Sequence, residues 1–337
     1  VNRCGKRKGE IMADLKTKYM GLELRNPLIV GSSGLTNTVE KNVGLAEKGA
    51  GGIVLKSIFE EEIALEYNEV LQQLKEQGRS LSGYDYYDYE IRAENLERYT
   101  KLIRETKANV EIPVIASVNC VYSHEWSMFA KQIEKAGADA LELNLFVLPS
   151  DLKRSSQDLE HHYFKVIDKV LAQVSLPVAV KMSYYFSSLG QMIKKLSETK
   201  VAGLVLFNRF YSPDFDLDTL EPLASNVLSS PDELPISLRW VALMSGRVDC
   251  DLAASTGVHD GNALIKQLLA GARAVQVAST LYKNGIDQIG VMLKRLESWM
   301  KEKGFETIDD FCGKLSQETS RDPAIYERVQ FMKYFGK

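Results

Sequence analysis

The residues most able to do chemistry in this 337-residue chain stand at the ends of its short apolar runs. Lys56-Ser57 close one run, Ser117 and Asn119 the next, and Asn144 a third. Lys181 and Ser183, Asn208-Arg209, Ser255-Thr256-Gly257 and Ala278-Ser279-Thr280 close four more. Any one of these residues suits a capped strand end or a solvated surface. Two lysines at matching places inside apolar runs ask for more, because a buried ammonium is costly without an anion or acceptor beside it. The Ser-Thr-Gly and Ala-Ser-Thr turns precede expected helix starts. Their backbone N–H groups and hydroxyls suit a phosphate.

The elements that must position this ring follow from the hydrophobic pattern. Strands are expected over 27–33, 51–58, 113–119, 140–146, 177–183, 203–208, 250–256 and 274–280. Helical periodicity fills 38–49, 91–109, 124–136, 156–174, 188–199, 237–246, 260–272 and 286–303. Thr38 is a plausible N-cap and Gly49 a stop signal for the first helix. Strands without apolar–polar alternation are buried on both faces, as in a parallel sheet. Eight such strands, nearly all followed by a helix and unbroken by a linker, predict one (β/α)8 TIM barrel over 12–303. Residues 1–11 read as a disordered extension before Met12, and 304–337 as an amphipathic extension packed on the barrel. In such a barrel the site forms at the C-terminal strand ends, with phosphate at the last two.

Several function classes are excluded. The 42 basic and 45 acidic residues give a net charge of −3, so no basic excess points to nucleic acid or an anionic membrane. The longest apolar runs are strand length, far short of a spanning helix. The four cysteines (Cys4, Cys120, Cys250, Cys312) form no CxxC pair, which argues against a zinc ribbon and for a reducing, cytoplasmic setting. No metal site is expected. There is no GxGxxG, Walker A or HExxH segment. His161-His162 read as solvated, and His124 and His259 as helix-start residues. The acidic run at 60–62 reads as helix N-terminal charge, and the Tyr-rich stretch 83–89 either as loop packing or as a lid over a ring-shaped ligand.

Taken in order over about 19–290, the motifs NPLIVGSSG, GGIVLKS, ALELNL, VAVKMS, GLVLFN and LLAGARAVQVAST resemble the dihydroorotate dehydrogenase family of FMN-dependent barrels. The resemblance implies FMN contacts at Ser33, Lys56, Ser57, Ser117, Asn144 and Lys181, with the flavin phosphate at Thr256, Gly257, Ala278 and Ser279. It implies that Lys181 lies near the flavin N1–C2=O edge, where positive charge stabilises the reduced anion. It places Lys56, Asn144 and Asn208 as the catalytic residues that hold a dihydropyrimidine-like substrate. The implied reaction, of pyrimidine biosynthesis, moves a hydride to the flavin as a proton leaves the neighbouring carbon. A homodimer is the expected assembly. The lack of an N-terminal membrane-associating segment argues against a quinone-linked enzyme. Soluble classes of the family use fumarate or pass electrons to a partner subunit.

Four departures stand beside the resemblance, the first being the Tyr-rich stretch in place of the family's Asn-rich substrate loop after strand 2. Val147 occupies the position of the family's Cys or Ser base, and valine cannot accept a proton. Arg209 follows Asn208 where the family has Ser or Thr. The family's glycine-rich GGLSG segment reads NVLSS here, over 226–230. The expectation is therefore an FMN-dependent dehydrogenase that turns over dihydroorotate poorly. The alternatives are another substrate, with Arg209 as carboxylate clamp, or an FMN-binding barrel with little turnover. Ser150 and Asp151 are candidate replacement bases, although a solvent-facing turn is the simpler role for both.

Overall fold

The structure is a computed structural model that describes residues 13–59, 84–120, 126–145, 147–209 and 212–327. The expected extension 1–11, Cys4, Met12, the acidic run 60–62, His124 and the tail beyond 327 lie outside the described residues.

Two short strands come first, β1 (Thr17–Tyr19) and β2 (Leu22–Leu24), paired antiparallel. The barrel follows: β3 (Leu28–Val30), α1 (Val39–Glu47), β4 (Gly52–Val54), β5 (Ile58–Phe59), α2 (Tyr84–Asn109), β6 (Val114–Cys120), α3 (Trp126–Lys135), β7 (Ala140–Leu145) and α4 (Ser156–Leu171). It continues with β8 (Val178–Met182), α5 (Leu189–Ser197), β9 (Gly203–Leu206), an antiparallel pair β10 (Ser212–Phe215) and β11 (Pro222–Ser225), then α6 (Leu234–Met244). Last come β12 (Asp251–Ser255), α7 (Gly261–Ala270), β13 (Ala274–Val277), α8 (Ser279–Asn284), α9 (Gln288–Lys303) and α10 (Ala324–Glu327). The parallel order β4-β3-β13-β12-β9-β8-β7-β6 closes through a β4–β6 pairing, giving an eight-stranded (β/α)8 barrel. The second strand is interrupted: Lys56-Ser57 separates β4 from β5, and both pieces pair with β6.

The barrel strands are buried on both faces, as their unbroken apolar pattern demands. Outward residues such as Leu28, Val30, Leu141 and Leu204 pack under the helices. Inward residues Ile29, Val54, Ile115, Ala140, Ala179, Val205, Ala253 and Ala274, one from each strand, form a layer over Tyr19, Met20 and Leu24. The β1–β2 hairpin therefore plugs the N-terminal end of the barrel. Alanines and Gly203 make room for it: a Cβ on Gly203 would lie 3.0 Å from the Tyr19 hydroxyl. The turn sits in left-handed geometry at Met20 (φ 54°) and Gly21 (φ 76°), and the Met20 N–H donates to Asp251 at 2.7 Å.

Local signals place the helices. Thr38 caps α1, accepting from the Lys41 N–H, and Ser155 with Asp158 forms a reciprocal capping box on α4. The Tyr-rich stretch enters α2 from Tyr84, so 84–89 is helix where a loop is one of the two expectations. The expected loop before 235 contains the β10–β11 hairpin, which stands in solvent with Phe215, Leu217 and Leu220 exposed. Beyond α9, Phe305 and Phe311 pack on Trp299 at 5.5 and 4.9 Å between ring centres. The Leu315 and Gln317 N–H groups donate to Leu269 and Ala242, each at 2.8 Å.

Candidate active site

Barrel closure brings the strand-end ring into one rim. Register alone aligns Asn119, Asn144 and Lys181 across β6, β7 and β8. Asn208 follows β9, and its Nδ2 donates to Asn144 Oδ1 at 2.6 Å. A cavity of about 380 Å³ opens here, lined by Ser32, Lys181, Asn208, Thr256, Ala278 and Ser279 among others. A chamber of about 500 Å³ adjoins it and shares Asn208, Arg209, Ser255 and Thr256.

Below the first cavity, hydroxyls form a chain. Ser32 Oγ accepts from the Ser57 N–H at 2.8 Å and lies 3.0 Å from Ser57 Oγ. Ser57 Oγ lies 2.7 Å from Ser117 Oγ, and the Ser117 N–H donates to the Tyr99 hydroxyl. Ser57 and Ser117 are buried beneath this wall. Ser33 turns the other way and donates to the Gly31 carbonyl, so its neighbour Ser32 faces the cavity. Lys56 is half-buried at the β4–β5 interruption and does not line either cavity. Its N–H donates to the Thr36 carbonyl.

The end near β12 and β13 carries the small residues expected for a phosphate. Thr256 (φ 75°) and Gly257 (φ 77°) both adopt left-handed backbone, which glycine accepts without strain. A Cβ on Gly257 would lie 2.2 Å from the Leu234 backbone nitrogen, so the glycine first serves the approach of α6. The start of α7 is not open to a ligand, because Asp260 caps it by accepting from the Ala263 N–H at 2.8 Å. The anion-receptive groups lie instead around Ala278 and Ser279. Ser279 Oγ accepts from the Ser229 N–H at 2.9 Å, and Lys283 donates to the Ser229 carbonyl at 2.7 Å. His259 Nε2 lies 3.0 Å from Ser229 Oγ. Partial burial, reinforced by Lys283, pushes the His259 pKa below the usual 6.5. His259 thus belongs to the site and is not a helix cap.

The second chamber is aromatic. Tyr184 and Tyr185 stack with centres 4.7 Å apart, and Tyr184 meets Phe207 edge-on at 5.7 Å. Burial and then Tyr185 push the Tyr184 phenol up to about 12, so it stays neutral. Arg209 projects here from the β9 end. Its Nε donates to Glu233 Oε2 and its Nη1 to the Val227 carbonyl, both at 2.8 Å. Glu233 is itself anchored, since Oε1 accepts from the Ser230 N–H at 2.8 Å. Leu148 lines the same chamber, while Val147 packs on the core. Ser150 and Asp151 are exposed, and Asp151 accepts from the Lys153 N–H, so both are solvent-facing turn residues.

Ser32, Tyr184, Tyr185, His259 and Lys283 were not among the expected site residues. Tyr184 and Tyr185 directly follow the strand-end Ser183, so a reading that continued past that residue finds them. Lys181 also has two buried partners that came without warning. It donates to Gln276 Oε1 at 2.9 Å, and Gln276 Nε2 donates to the Glu142 carboxylate.

A wider comparison decides the family. The family model described as dihydroorotate dehydrogenase matches residues 14–300. The chain belongs to the dihydroorotate dehydrogenase family. It is 28% identical over 316 residues to the "Dihydroorotate dehydrogenase B (NAD(+)), catalytic subunit" of Thermoplasma volcanium, covering 90% of this chain and 98% of that protein. Proteins of the same name from Methanothermobacter thermautotrophicus and Pyrococcus furiosus are 26% and 25% identical, with 89% of this chain covered in each case. They are covered over 97% and 98% of their own lengths respectively. Membership makes the chain an oxidoreductase of dihydroorotate dehydrogenase type. Among the described residues no helix is long and apolar enough to cross a membrane.

Proposed function

We propose that this protein is an FMN-dependent oxidoreductase acting on the CH–CH bond of a dihydropyrimidine-like ring. One observation carries the reading: a lysine ammonium, an asparagine (Asn208) held from behind by Asn144, and a Thr-Gly and Ala-Ser rim meet at one cavity. That donor set suits an anionic, oxygen-rich ligand and fits FMN. Thr256, Gly257, Ala278 and Ser279 would receive the phosphate, with Lys283 and His259 behind them. Ser33, Lys56, Ser57, Ser117, Asn144 and Lys181 would hold the remainder, Ser33 through its neighbour Ser32. When bound, FMN supplies a two-electron acceptor for hydride.

The remaining work falls to this chain's own groups. Lys181 offers positive charge where negative charge develops on reduction. Asn144 and Asn208, locked to each other, present amide groups that orient a planar ring. Lys56, which lines neither cavity, would serve as the third catalytic group only if its side chain swings in from the β4–β5 interruption. Arg209, with two of its nitrogens engaged, offers the rest of its guanidinium to a carboxylate. Val147 supplies no proton acceptor at the family position, so the proton departs without a positioned base. The names of the relatives above favour NAD(+) as acceptor. Cysteines 250 and 312, both unpaired, favour a cytoplasmic setting. The exposed Leu217 and Leu220 favour a homodimer.

The test is the absorption spectrum of the purified protein, followed by anaerobic mixing with dihydroorotate. A flavin spectrum that bleaches on mixing supports the full reading. Flavin that bleaches only with another ring substrate retains FMN and replaces the substrate. Protein that takes up no FMN sinks the assignment. Lys181→Ala should lower the flavin midpoint potential or lose the cofactor, and an unchanged potential and occupancy would remove Lys181 from the site.

A further inference from the structure

Three buried polar side chains meet inside the barrel below the first cavity. Glu142 projects from β7, Lys181 from β8, and Gln276 from β13 on a different part of the wall. Their residues are 1%, 9% and 2% exposed. Lys181 and Glu142 have opposite charges and nothing in the chain direction keeps them apart. Yet Lys181 Nζ stays 4.0 Å from Glu142 Oε1, and that oxygen has no hydrogen-bond partner. The ammonium instead bonds Gln276 Oε1 at 2.9 Å, while Gln276 Nε2 donates to the other carboxylate oxygen.

The inventory of groups explains the arrangement. An ammonium only donates and a carboxylate only accepts. An amide placed between them has one satisfactory orientation, carbonyl toward lysine and NH2 toward glutamate. The amide therefore acts as a spacer. It holds Lys181 off the carboxylate and leaves the other ammonium protons for the cavity that Lys181 lines. Without the spacer, a buried pair in a low-dielectric interior would close into a direct ion pair. The lysine would then turn down, away from the cavity.

We propose that Gln276, braced by Glu142, is the positioning residue that aims Lys181 at the ligand. This rests on the FMN reading for what Lys181 meets, but not for the spacer itself. Gln276 does not transfer a proton or hydride. It acts through Lys181.

The test uses Gln276→Met, close in volume and unable to bridge. In the crystal structure of the flavin-free variant, Lys181 Nζ should close from 4.0 Å onto Glu142 to direct hydrogen-bond distance, about 2.8 Å. With FMN bound, the midpoint potential should fall, in the direction expected for Lys181→Ala. Adding Glu142→Gln should release the lysine, so the double variant Glu142→Gln with Gln276→Met should recover potential relative to Gln276→Met alone. A merely structural role predicts the reverse, with the second substitution adding damage. Lys181 unmoved in the Gln276→Met crystal, or a further fall in the double variant, would overturn the proposal. If the parent protein binds no FMN, the flavin reading fails and the flavin-free crystal structure alone decides the spacer.

Discussion

The two chambers at the barrel mouth were built to different rules. The cavity between β8 and β13 is polar and small-residued, its surface made by Lys181, Ser32, Thr256 and Ala278. Its parts come from strand ends that closely follow the family's motifs. The adjoining chamber is lined by Tyr184, Tyr185, Phe207 and Leu148 around the Arg209–Glu233 ion pair. The departures gather at its border: Leu148, next to Val147, lines it, Arg209 is shared with the first cavity, and the 226–230 segment divides between the two, with Asn226, Leu228 and Ser230 here and Val227 and Ser229 at the first. The contrast has a physical basis. A phosphate and a flavin edge ask for fixed backbone and one cation, which many loops cannot supply. A substrate is recognised by side chains on loops, which can change without disturbing the barrel. On the proposed function, the first cavity is a cofactor end that keeps the family's motifs and the second a substrate end that departs from them.

The largest expected effect tests the rigidity of the cofactor end. Gly257→Leu would force a left-handed residue (φ 77°) and place Cβ within 2.2 Å of the Leu234 nitrogen, a backbone atom that cannot swing aside. Chemical denaturation should show a loss of about 3 kcal/mol or more, with FMN content falling alongside. Unchanged stability and flavin content would mean that the β12 loop is not the rigid wall described.

The next effect belongs to the other chamber. A positioned base contributes about 10²–10⁴-fold, so flavin reduction by dihydroorotate should be slower than in Cys- or Ser-containing relatives by about that factor. Val147→Ser should recover part of it in anaerobic stopped-flow mixing, although the new hydroxyl must also leave the apolar contacts that Val147 makes with the core. Asp151→Asn should change nothing, because Asp151 is exposed and already accepts from the Lys153 N–H. A parent enzyme as fast as the Ser or Cys enzymes would break the contrast between chambers.

Much of the cofactor end was legible because it depends on local pattern. A buried strand, a terminal Lys or Asn and a Ser/Thr-Gly turn are written within a few residues. The barrel follows from eight repetitions of that pattern. The missed parts depend on distance. Glu142 and Gln276 are 134 positions apart and meet only after the barrel closes. Ser32 and Ser33 are adjacent, and only the exact strand exit decides which faces the cavity. The β10–β11 hairpin has prolines at 213 and 222 and exposed residues on both faces, so no alternation announces it. The β1–β2 plug has three-residue strands around a Met-Gly turn, too short for a periodic signal.

Arg209 sharpens the contrast at the substrate end. Charge-assisted hydrogen bonds to a ligand carboxylate contribute about 1.5–3 kcal/mol. Arg209→Gln should therefore raise KM for a carboxylate-bearing ring by roughly tenfold to a hundredfold, and barely alter it for the corresponding uncharged amide. Arg209→Lys should recover little, since a lysine cannot serve Glu233, the Val227 carbonyl and a ligand from one planar group. Equal effects on the acid and the amide would assign Arg209 to holding the 227–233 segment only.

The smallest effect lies in the pH dependence of the cofactor end. His259 has its pKa depressed below 6.5, first by burial and then by Lys283. In the unfolded chain it returns to about 6.5. Protonation therefore favours the unfolded state, and the folded state loses stability as pH falls below 6.5. In flavin-free protein this should appear as a decline in stability between neutral and mildly acid pH, reduced in His259→Gln, whose amide does not titrate in that window and can still reach Ser229. Bound phosphate reverses the sign. An anion beside His259 favours its charged form, so FMN should protect the parent more as pH falls, and protect His259→Gln less. Thermal denaturation of both proteins across this range, with and without FMN, measures the two slopes. A parent slope that FMN leaves unaltered would place the phosphate away from Ser229, His259 and Lys283, and would return the cofactor end to the turn at Thr256-Gly257.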